Sequence, residues 1–345
     1  SGFSINSTIQ INTDIDVELQ TSRNTVGAIP GNGELKDEWL ILGAHIDHLG
    51  WGGEGSNSMA PDLHEIHNGA DDNASGVSAL LELAAYFTKE ASKTESRRSI
   101  LFIAFGAEEV GLLGSSYFVD NPMIPIENVV AMFNMDMVGR LTEDKLVIGG
   151  AGTSSAWEKL ISDANSDSLI FTFDEQGFGS SDHQPFYLKG IPVLFFFTGA
   201  HEDYHRPTDD LEFLNIPGIM KVSNLIAGST EYILTAFEKP DYINVQSKKQ
   251  SDRGSYNVTF GVIPDFMYDG DGFRISGVRE LAPAGLAGMQ GGDIITSING
   301  ISILNIYDYM YALQNCTSGI EVPVVVKRGD EELILQIAPQ SKSSD

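Results

Sequence analysis

Between residues 38 and 238, short runs of uninterrupted apolar residues keep returning: "WLILGAH", "SILFIAFGA", "NVVAMFNMD" and "IPVLFFFTG". Each is short for a helix and lacks the alternation of a strand with one wet face. A strand without a polar face must be covered on both sides, which is the habit of a mostly parallel sheet in an α/β layer structure. The intervening segments supply the cover. "NASGVSALLELAAYFTKEA", "GLLGSSYFVDN", "SSAWEKLISDAN", "DHQPFYLKG" and "IPGIMKVSNLIAGSTEYILTAFEK" read as helices, and "KLVIGG" as a further strand. The opening "STIQINTDIDVELQ" alternates with period two and is expected as an antiparallel strand near the sheet edge.

After Phe237 the pattern changes. "EKPDYINVQSKKQSDRGS" is polar and aperiodic and reads as a linker. Short strand candidates then resume in "YNVTFGVI", "FRISGVR", "DIITSING", "VPVVVKR" and "ELILQIAP", with one helix candidate, "NIYDYMYALQN". The expected organisation is an α/β domain over 1–238, a linker over 239–254 and a small β-rich domain over 255–340.

Lys and Arg number 21 against 48 Asp and Glu, a formal charge of −27. Such a field repels phosphate, so nucleic-acid and anionic-membrane partners are not expected. It favours solubility and, weakly, cationic ligands such as a peptide's free amino terminus. The single cysteine, Cys316, excludes an intrachain disulfide and argues against a thiolate zinc site. No run of about 18 apolar residues offers a membrane span. The chain starts "SGFS" without Met. It reads as a processed product or an expression fragment, in which any export signal or upstream domain would be invisible; an extracytoplasmic location (secreted, periplasmic or surface-anchored) is expected.

In open α/β sheets, sites gather at the carboxyl ends of the strands. Four strand ends here carry metal-type ligands. "LILGAHIDH" ends in His45 and Asp47, "LFIAFGAEE" in Glu108 and Glu109, and "VVAMFNMDM" in Asp136. "VLFFFTGAHEDYHRPTDD" runs into a loop with His201 and His205. The pair Asp71 and Asp72 stands at a loop-to-helix junction, where helix capping accounts for one aspartate but not both. Each residue alone has a bland reading as a polar loop group; their placement at equivalent ends of one sheet is the signal.

Histidine plus carboxylate without thiolate suits zinc, and to a lesser extent manganese or cobalt. Two histidines and three carboxylates serve two metals if one carboxylate bridges, as in two-metal hydrolases. In "HID", an aspartate two residues after a ligating histidine can accept the proton of its other ring nitrogen. The pair "EE" suggests one carboxylate on metal and one free as a base. Burial raises the pKa of such a base and nearby cations lower it.

The motifs "GAHIDH", "NGADDNASG", "FGAEEVGLLGS", "NMDMVG" and "DYHRPTDD", in this order, resemble the di-zinc aminopeptidase family. That family includes secreted bacterial leucyl aminopeptidases, glutamate carboxypeptidase II and the one-zinc glutaminyl cyclases. The resemblance covers about two-thirds of the chain. It implies a three-layer zinc-exopeptidase fold with two zinc ions, His45 and Asp136 on one, Glu109 and His205 on the other, and Asp72 bridging. It further implies Glu108 as general base and acid, Asp47 as the partner of His45, and Tyr204 as the group steadying the oxyanion. The implied activity is hydrolysis of N-terminal residues from peptides by an activated water.

The second segment, from "FGVIPDF" through "APAGLAGMQGGDIITSING" to "VPVVVKRG", resembles a PDZ domain. Phe260, Gly261, Val262 and Ile263 then correspond to the loop that receives a peptide's terminal carboxylate, and "YDYMYALQN" to the flanking helix. The domain either captures peptide C-termini or packs on the first domain and shapes its cleft. His48, His64, His67 and His201 are not expected as ligands, because five residues already serve two metals. Asp182 and His183 in "SSDHQPF" read as a helix cap or as lining of the substrate pocket. "LVIGG" lacks the lysine of a phosphate loop. Two competing functions remain, a one-zinc glutaminyl cyclase-like acyltransferase and an inactive peptide-binding protein; zinc content of two, one or none separates the three.

Overall fold

The computed structural model describes residues 20–53, 56–90, 96–245, 258–264, 268, 271–279, 281–303, 306–329 and 331–341. Its larger sheet contains β1 (Thr25–Ile29), β2 (Trp39–His45), β3 (Ser99–Phe105), β4 (Val129–Met135), β5 (Lys145–Gly149), β6 (Ile170–Phe173) and β7 (Val193–Phe197), in the order β1-β3-β2-β4-β7-β5-β6. The four central strands β3, β2, β4 and β7 are parallel, as are β5 and β6. The joints β1–β3 and β5–β7 are antiparallel. The expected strand in "STIQINTDIDVELQ" lies outside the described residues except for Gln20. The antiparallel edge strand that is described is β1. The four-residue β6 falls where no strand was expected.

Side chains on a strand alternate between faces, and here both faces are dry. Leu40, Leu42 and Ala44 of β2 pack with α1 (Gly76–Glu90), α3 (Trp157–Ala164) and α5 (Ile216–Thr235). Ile41, Ile103 and Phe105 face the other way, onto α2 (Leu113–Asp120) and α4 (His183–Leu188). The result is three layers, helix on sheet on helix. On α1, Leu80, Leu83 and Phe87 form the buried stripe. Asn215 caps α5 by accepting from the Gly218 amide at 2.9 Å, and Pro217 occupies its first turn. At the far end the fully buried Arg98 donates to the carbonyls of Ile233 and Ala236 and to Glu38 Oε2.

The start of the linker stretch docks on the first domain. Asp241 Oδ1 accepts from Ser154 Oγ and from the Ser155 amide, and Ile243 N donates to Thr153 O. Beyond it come β8 (Val258–Thr259), β9 (Val262–Pro264), β10 (Phe273–Val278), α6 (Pro283–Leu286), β11 (Ile294–Ile298), β12 (Ile301–Ser302), α7 (Ile306–Gln314), β13 (Val322–Arg328), β14 (Glu331–Ile337) and β15 (Gln340–Ser341). Phe260, Phe273, Ile275, Ile298, Val324 and Val326 form a separate core. The stretch "YNVTFGVI" breaks into β8 and β9 at Gly261, whose φ of +73° suits only glycine without strain. No helix among the described residues is long and apolar enough to cross a membrane.

Candidate metal centre

Parallel strands deliver their last residues to one edge of the sheet. His45 ends β2, Asp136 directly follows β4, and Glu108 and Glu109 lie in the turn after β3. The loop after β7 carries Tyr204 and His205, and Asp72 lies in the irregular turn Ala70–Ser75 that leads into α1. The structure brings all five expected ligands together. His45 Nε2 stands 3.2 Å from Asp72 Oδ1 and 3.2 Å from Asp136 Oδ1. His205 Nε2 stands 3.2 Å from Asp72 Oδ2 and 3.2 Å from Glu109 Oε2. One carboxylate, Asp72, thus offers an oxygen to each histidine.

The other ring nitrogens are committed to the backbone. His45 Nδ1 donates to the Asp47 carbonyl at 3.1 Å, and His205 Nδ1 to the Asn57 carbonyl at 2.9 Å. In a neutral ring these bonds keep the proton on Nδ1 and leave the Nε2 lone pair for a cation. The donor set fits a metal pair. Donor atoms of His45, Asp72 and Asp136 all lie within 4.8 Å of one another, as do those of His48, Asp72 and Glu109. A nitrogen–oxygen separation of 3.2 Å is close to the edge of a tetrahedron with metal–ligand bonds of about 2.0–2.1 Å. Asp72 Oδ2 is buried yet forms no hydrogen bond, an expense that a bound cation would remove.

The local sequence explains how Asp72 is held. Asp209 Oδ2 accepts from the amides of Asp71 (2.8 Å) and Asp72 (3.0 Å). Asn73 bridges the turn to β4, donating to Met135 O and accepting from the amides of Gly76 and Met137. A Cβ on Gly76 would lie 2.5 Å from Met135 O, so this close approach requires glycine. Asp71 turns away from the centre. Its Oδ1 accepts from Gly139 N and Ser75 Oγ, while Oδ2 faces His201 Nε2 at 3.2 Å. The two adjacent aspartates therefore serve different ends.

The Asp47 carboxylate lies 4.0 Å from His45 Nδ1, beyond hydrogen-bond reach in this arrangement. It instead accepts from the backbone amides of Glu108 (3.0 Å) and Glu109 (3.3 Å), while the Asp47 carbonyl takes the histidine proton. The turn after β3 presents two adjacent N–H groups, with Ala107 at φ +59°, and these claim the carboxylate. His48 was passed over in the sequence and lies in the cluster: Nδ1 donates to Glu109 Oε1 at 2.7 Å. Ser181, readable in "SSDHQPF" as a helix cap, instead serves the cluster; its hydroxyl donates to Asp136 Oδ2 at 2.6 Å and accepts from Asn134 Nδ2. His64 and His67 lie apart from the donors; His67 bonds Ser58 and the Glu65 carbonyl.

Protein groups alone set strong pKa trends. Burial, followed by the Asp136, Asp182 and Glu109 carboxylates, raises Glu108 well above the ordinary range, against the pull of His45. Burial opposes ionisation of Asp72, but the His205 and His45 rings against its two oxygens outweigh it and hold the carboxylate well below the usual value. Burial lowers His205, but Asp72 and Glu109 push it up to about 10. Tyr204, stacked on the His205 ring at 3.8 Å, is raised by burial and the surrounding carboxylates, so its phenol stays protonated. Asp182 is raised to about 7 by burial with Asp136 and Asp47 nearby, and His183 is lowered to about 3 by burial. Neither belongs to the donor set.

In the second domain, the Phe260 side chain is fully buried in the core beside Tyr309. The Gly261 amide donates to Thr259 Oγ1 and its carbonyl accepts from Arg279 N. The side chain of Ile263 lies outside the described residues.

Comparison with known proteins completes the picture. A profile of peptidase family M28 matches residues 24–230, and a PDZ domain profile matches residues 274–328. Aminopeptidase YwaD of Bacillus subtilis is 34% identical over 248 residues, 68% of this chain and 50% of that protein. Leupeptin-inactivating enzyme 1 of Streptomyces exfoliatus is 29% identical over 188 residues, 54% of this chain and 37% of that protein. Among solved structures, a zinc aminopeptidase from Bacillus subtilis is 29% identical with a TM-score of 0.49, covering 63% of this chain and 51% of the other. The chain spans about half the length of the curated relatives it matches.

Proposed function

Because the chain belongs to peptidase family M28, we propose that it is a two-zinc exopeptidase that removes N-terminal residues from peptides. The observation that carries this reading is Asp72, whose two oxygens face His45 and His205 separately. His45, Asp136 and Asp72 would hold one ion, and Glu109, His205 and Asp72 the other. When bound, the ions supply Lewis acidity at the scissile carbonyl and lower the pKa of a water.

The rest is the work of the chain. Glu108 takes a proton from the attacking water as its oxygen adds to the carbonyl carbon. It returns that proton to the departing amine as the C–N bond breaks. Asp47 fixes the turn through the Glu108 amide, which aims the base. Tyr204, protonated, is placed to donate a hydrogen bond to the oxyanion. Arg140, directly after "NMDMVG", is engaged by Asp203 (3.2 Å) and Asp209 (3.0 Å), and its guanidinium lies over Phe213. That engagement commits Arg140 to the protein's own carboxylates rather than to one of a substrate.

The test is a panel of aminoacyl p-nitroanilides, with chelator and with zinc restored. We expect hydrolysis that chelation abolishes and zinc restores, with two zincs per chain. Zinc-loaded protein inert toward the whole panel, or a single zinc per chain, would overturn the reading.

A further inference from the structure

The second domain reaches the metal cluster through one side chain. Arg279 follows β10, and its amide donates to the Gly261 carbonyl at 2.9 Å. Its guanidinium crosses to the first domain: Nε lies 3.3 Å from Met59 Sδ, and Nη2 donates to the Asn57 carbonyl at 3.3 Å. That same carbonyl accepts the Nδ1 proton of His205. Asn57 also donates through Nδ2 to the Glu109 carbonyl, and the Met59 amide donates to His205 O. Residues 57–59 thus form a strap beside the Glu109–His205 half of the cluster, and Arg279 lies against it.

Among the described residues the guanidinium has no counter-ion. In a chain with 48 acidic residues, its acceptors among the described residues are a thioether and a peptide carbonyl. Other arginines do have carboxylate partners: Arg98 pairs with Glu38, Arg140 with Asp203 and Asp209, and Arg328 with Asp293. Arg279 is half-buried, and burial lowers its pKa from the ordinary value, against a smaller upward pull from Tyr204. A desolvated cation without an anion is costly. Its planar fork of five N–H donors is suited to a carboxylate, and most of those donors remain available.

We propose that Arg279 is a specificity residue contributed by the PDZ domain, binding the C-terminal carboxylate of short peptide substrates. This rests on the aminopeptidase reading and narrows its substrate class. Arg279 Nη2 is separated from the metal-facing Nε2 of His205 by the Asn57 carbonyl, at 3.3 Å and 2.9 Å, and one imidazole ring; at about 3.3–3.6 Å per extended residue, a carboxylate on Arg279 belongs to a peptide with about one to three residues beyond the scissile bond. The enzyme is then a peptidase of di- to tetrapeptides, with its second domain completing the primed side of the cleft.

The test compares Leu-Leu-Ala with Leu-Leu-Ala-amide on the zinc-loaded full chain, alongside Leu-p-nitroanilide and N-acetyl-Leu-Leu-Ala. We expect kcat/KM to favour the free acid over the amide by about 10- to 100-fold, the worth of a charge-assisted hydrogen bond, expressed mainly in KM. In R279Q the acid-to-amide ratio falls toward one, with two zincs still bound; R279K keeps part of the preference. Equal rates for acid and amide in the wild type, with Leu-p-nitroanilide cleaved, would overturn this inference alone. So would an R279Q that loses zinc and slows acid and amide alike, which marks a merely structural contact. Cleavage of the acetylated peptide, or no hydrolysis of Leu-p-nitroanilide, would overturn the aminopeptidase reading and this inference with it.

Discussion

Glu108 and Glu109 are neighbours in sequence with opposite electrostatic fates. Burial and adjacent carboxylates hold Glu108 up, whereas His205 and His48 outweigh burial at Glu109 and hold it down. That divergence suits an acid–base group beside a ligand: a carboxylate of raised basicity accepts a proton and passes it on, while its neighbour stays ionised. Glu108→Gln preserves shape and removes only the base. We expect it to retain two zincs by elemental analysis while kcat falls by about two to four orders of magnitude. Near-wild-type turnover would remove Glu108 from the mechanism. The same scale separates Asp71 from Asp72: one oxygen of Asp71 is taken by Gly139 and Ser75, whereas the two oxygens of Asp72 face His45 and His205.

Among the elements, α5 depends on a residue outside itself. Of its last carbonyls Ile233 O is buried and Ala236 O partly so, against the start of β3, and Arg98 satisfies both while pairing with Glu38. Arg98→Met fills similar volume but strands those carbonyls and the carboxylate. We expect a loss of about 3–5 kcal/mol in urea denaturation, with zinc content intact because the metal centre is at the opposite strand ends. A loss under about 1 kcal/mol would show that water takes over the capping. The turn Ala70–Ser75 makes the complementary case: Asp209, Asn73 and Gly76 lock a short irregular segment whose one functional product is the position of Asp72.

Across the whole molecule, metal binding and folding are linked through protons. His205, held at about 10 by its carboxylates, carries a proton at neutral pH when no cation competes. Its ion pairs stabilise the apo protein fully below about pH 6.5, the ordinary histidine value, and that contribution is lost as pH rises through about 10. Zinc requires the neutral ring, so its affinity moves the other way, strengthening as pH rises. Calorimetry in buffers of different ionisation enthalpy should register proton release on zinc binding at pH 7, and affinity should fall between pH 8 and 6. Binding without proton release would contradict the assignment of His205 as a ligand. Zinc at about 100 times its dissociation constant should add about 2.7 kcal/mol per site to stability.

Much of this was legible in sequence. Unbroken apolar runs announced a buried, mostly parallel sheet, and the helices between them announced the layers, because periodicity is a local property that burial writes into every strand. Ligand types at strand ends followed, since a parallel sheet collects those ends at one edge. What remained hidden depends on residues far apart in the chain meeting only after closure. Asp47 gives its carboxylate to the Glu108–Glu109 turn and its carbonyl to His45, because two exposed amides arrive from β3 to claim it. His48, Asp209 and Asn57 acquire their roles the same way, and Arg279 meets the Asn57 carbonyl across 222 positions. Periodicity and strand-end chemistry determined the sheet and the kind of metal centre; only the tertiary structure decided which atom of each residue does the binding, because a hydrogen-bond partner is chosen by proximity and geometry rather than by sequence spacing.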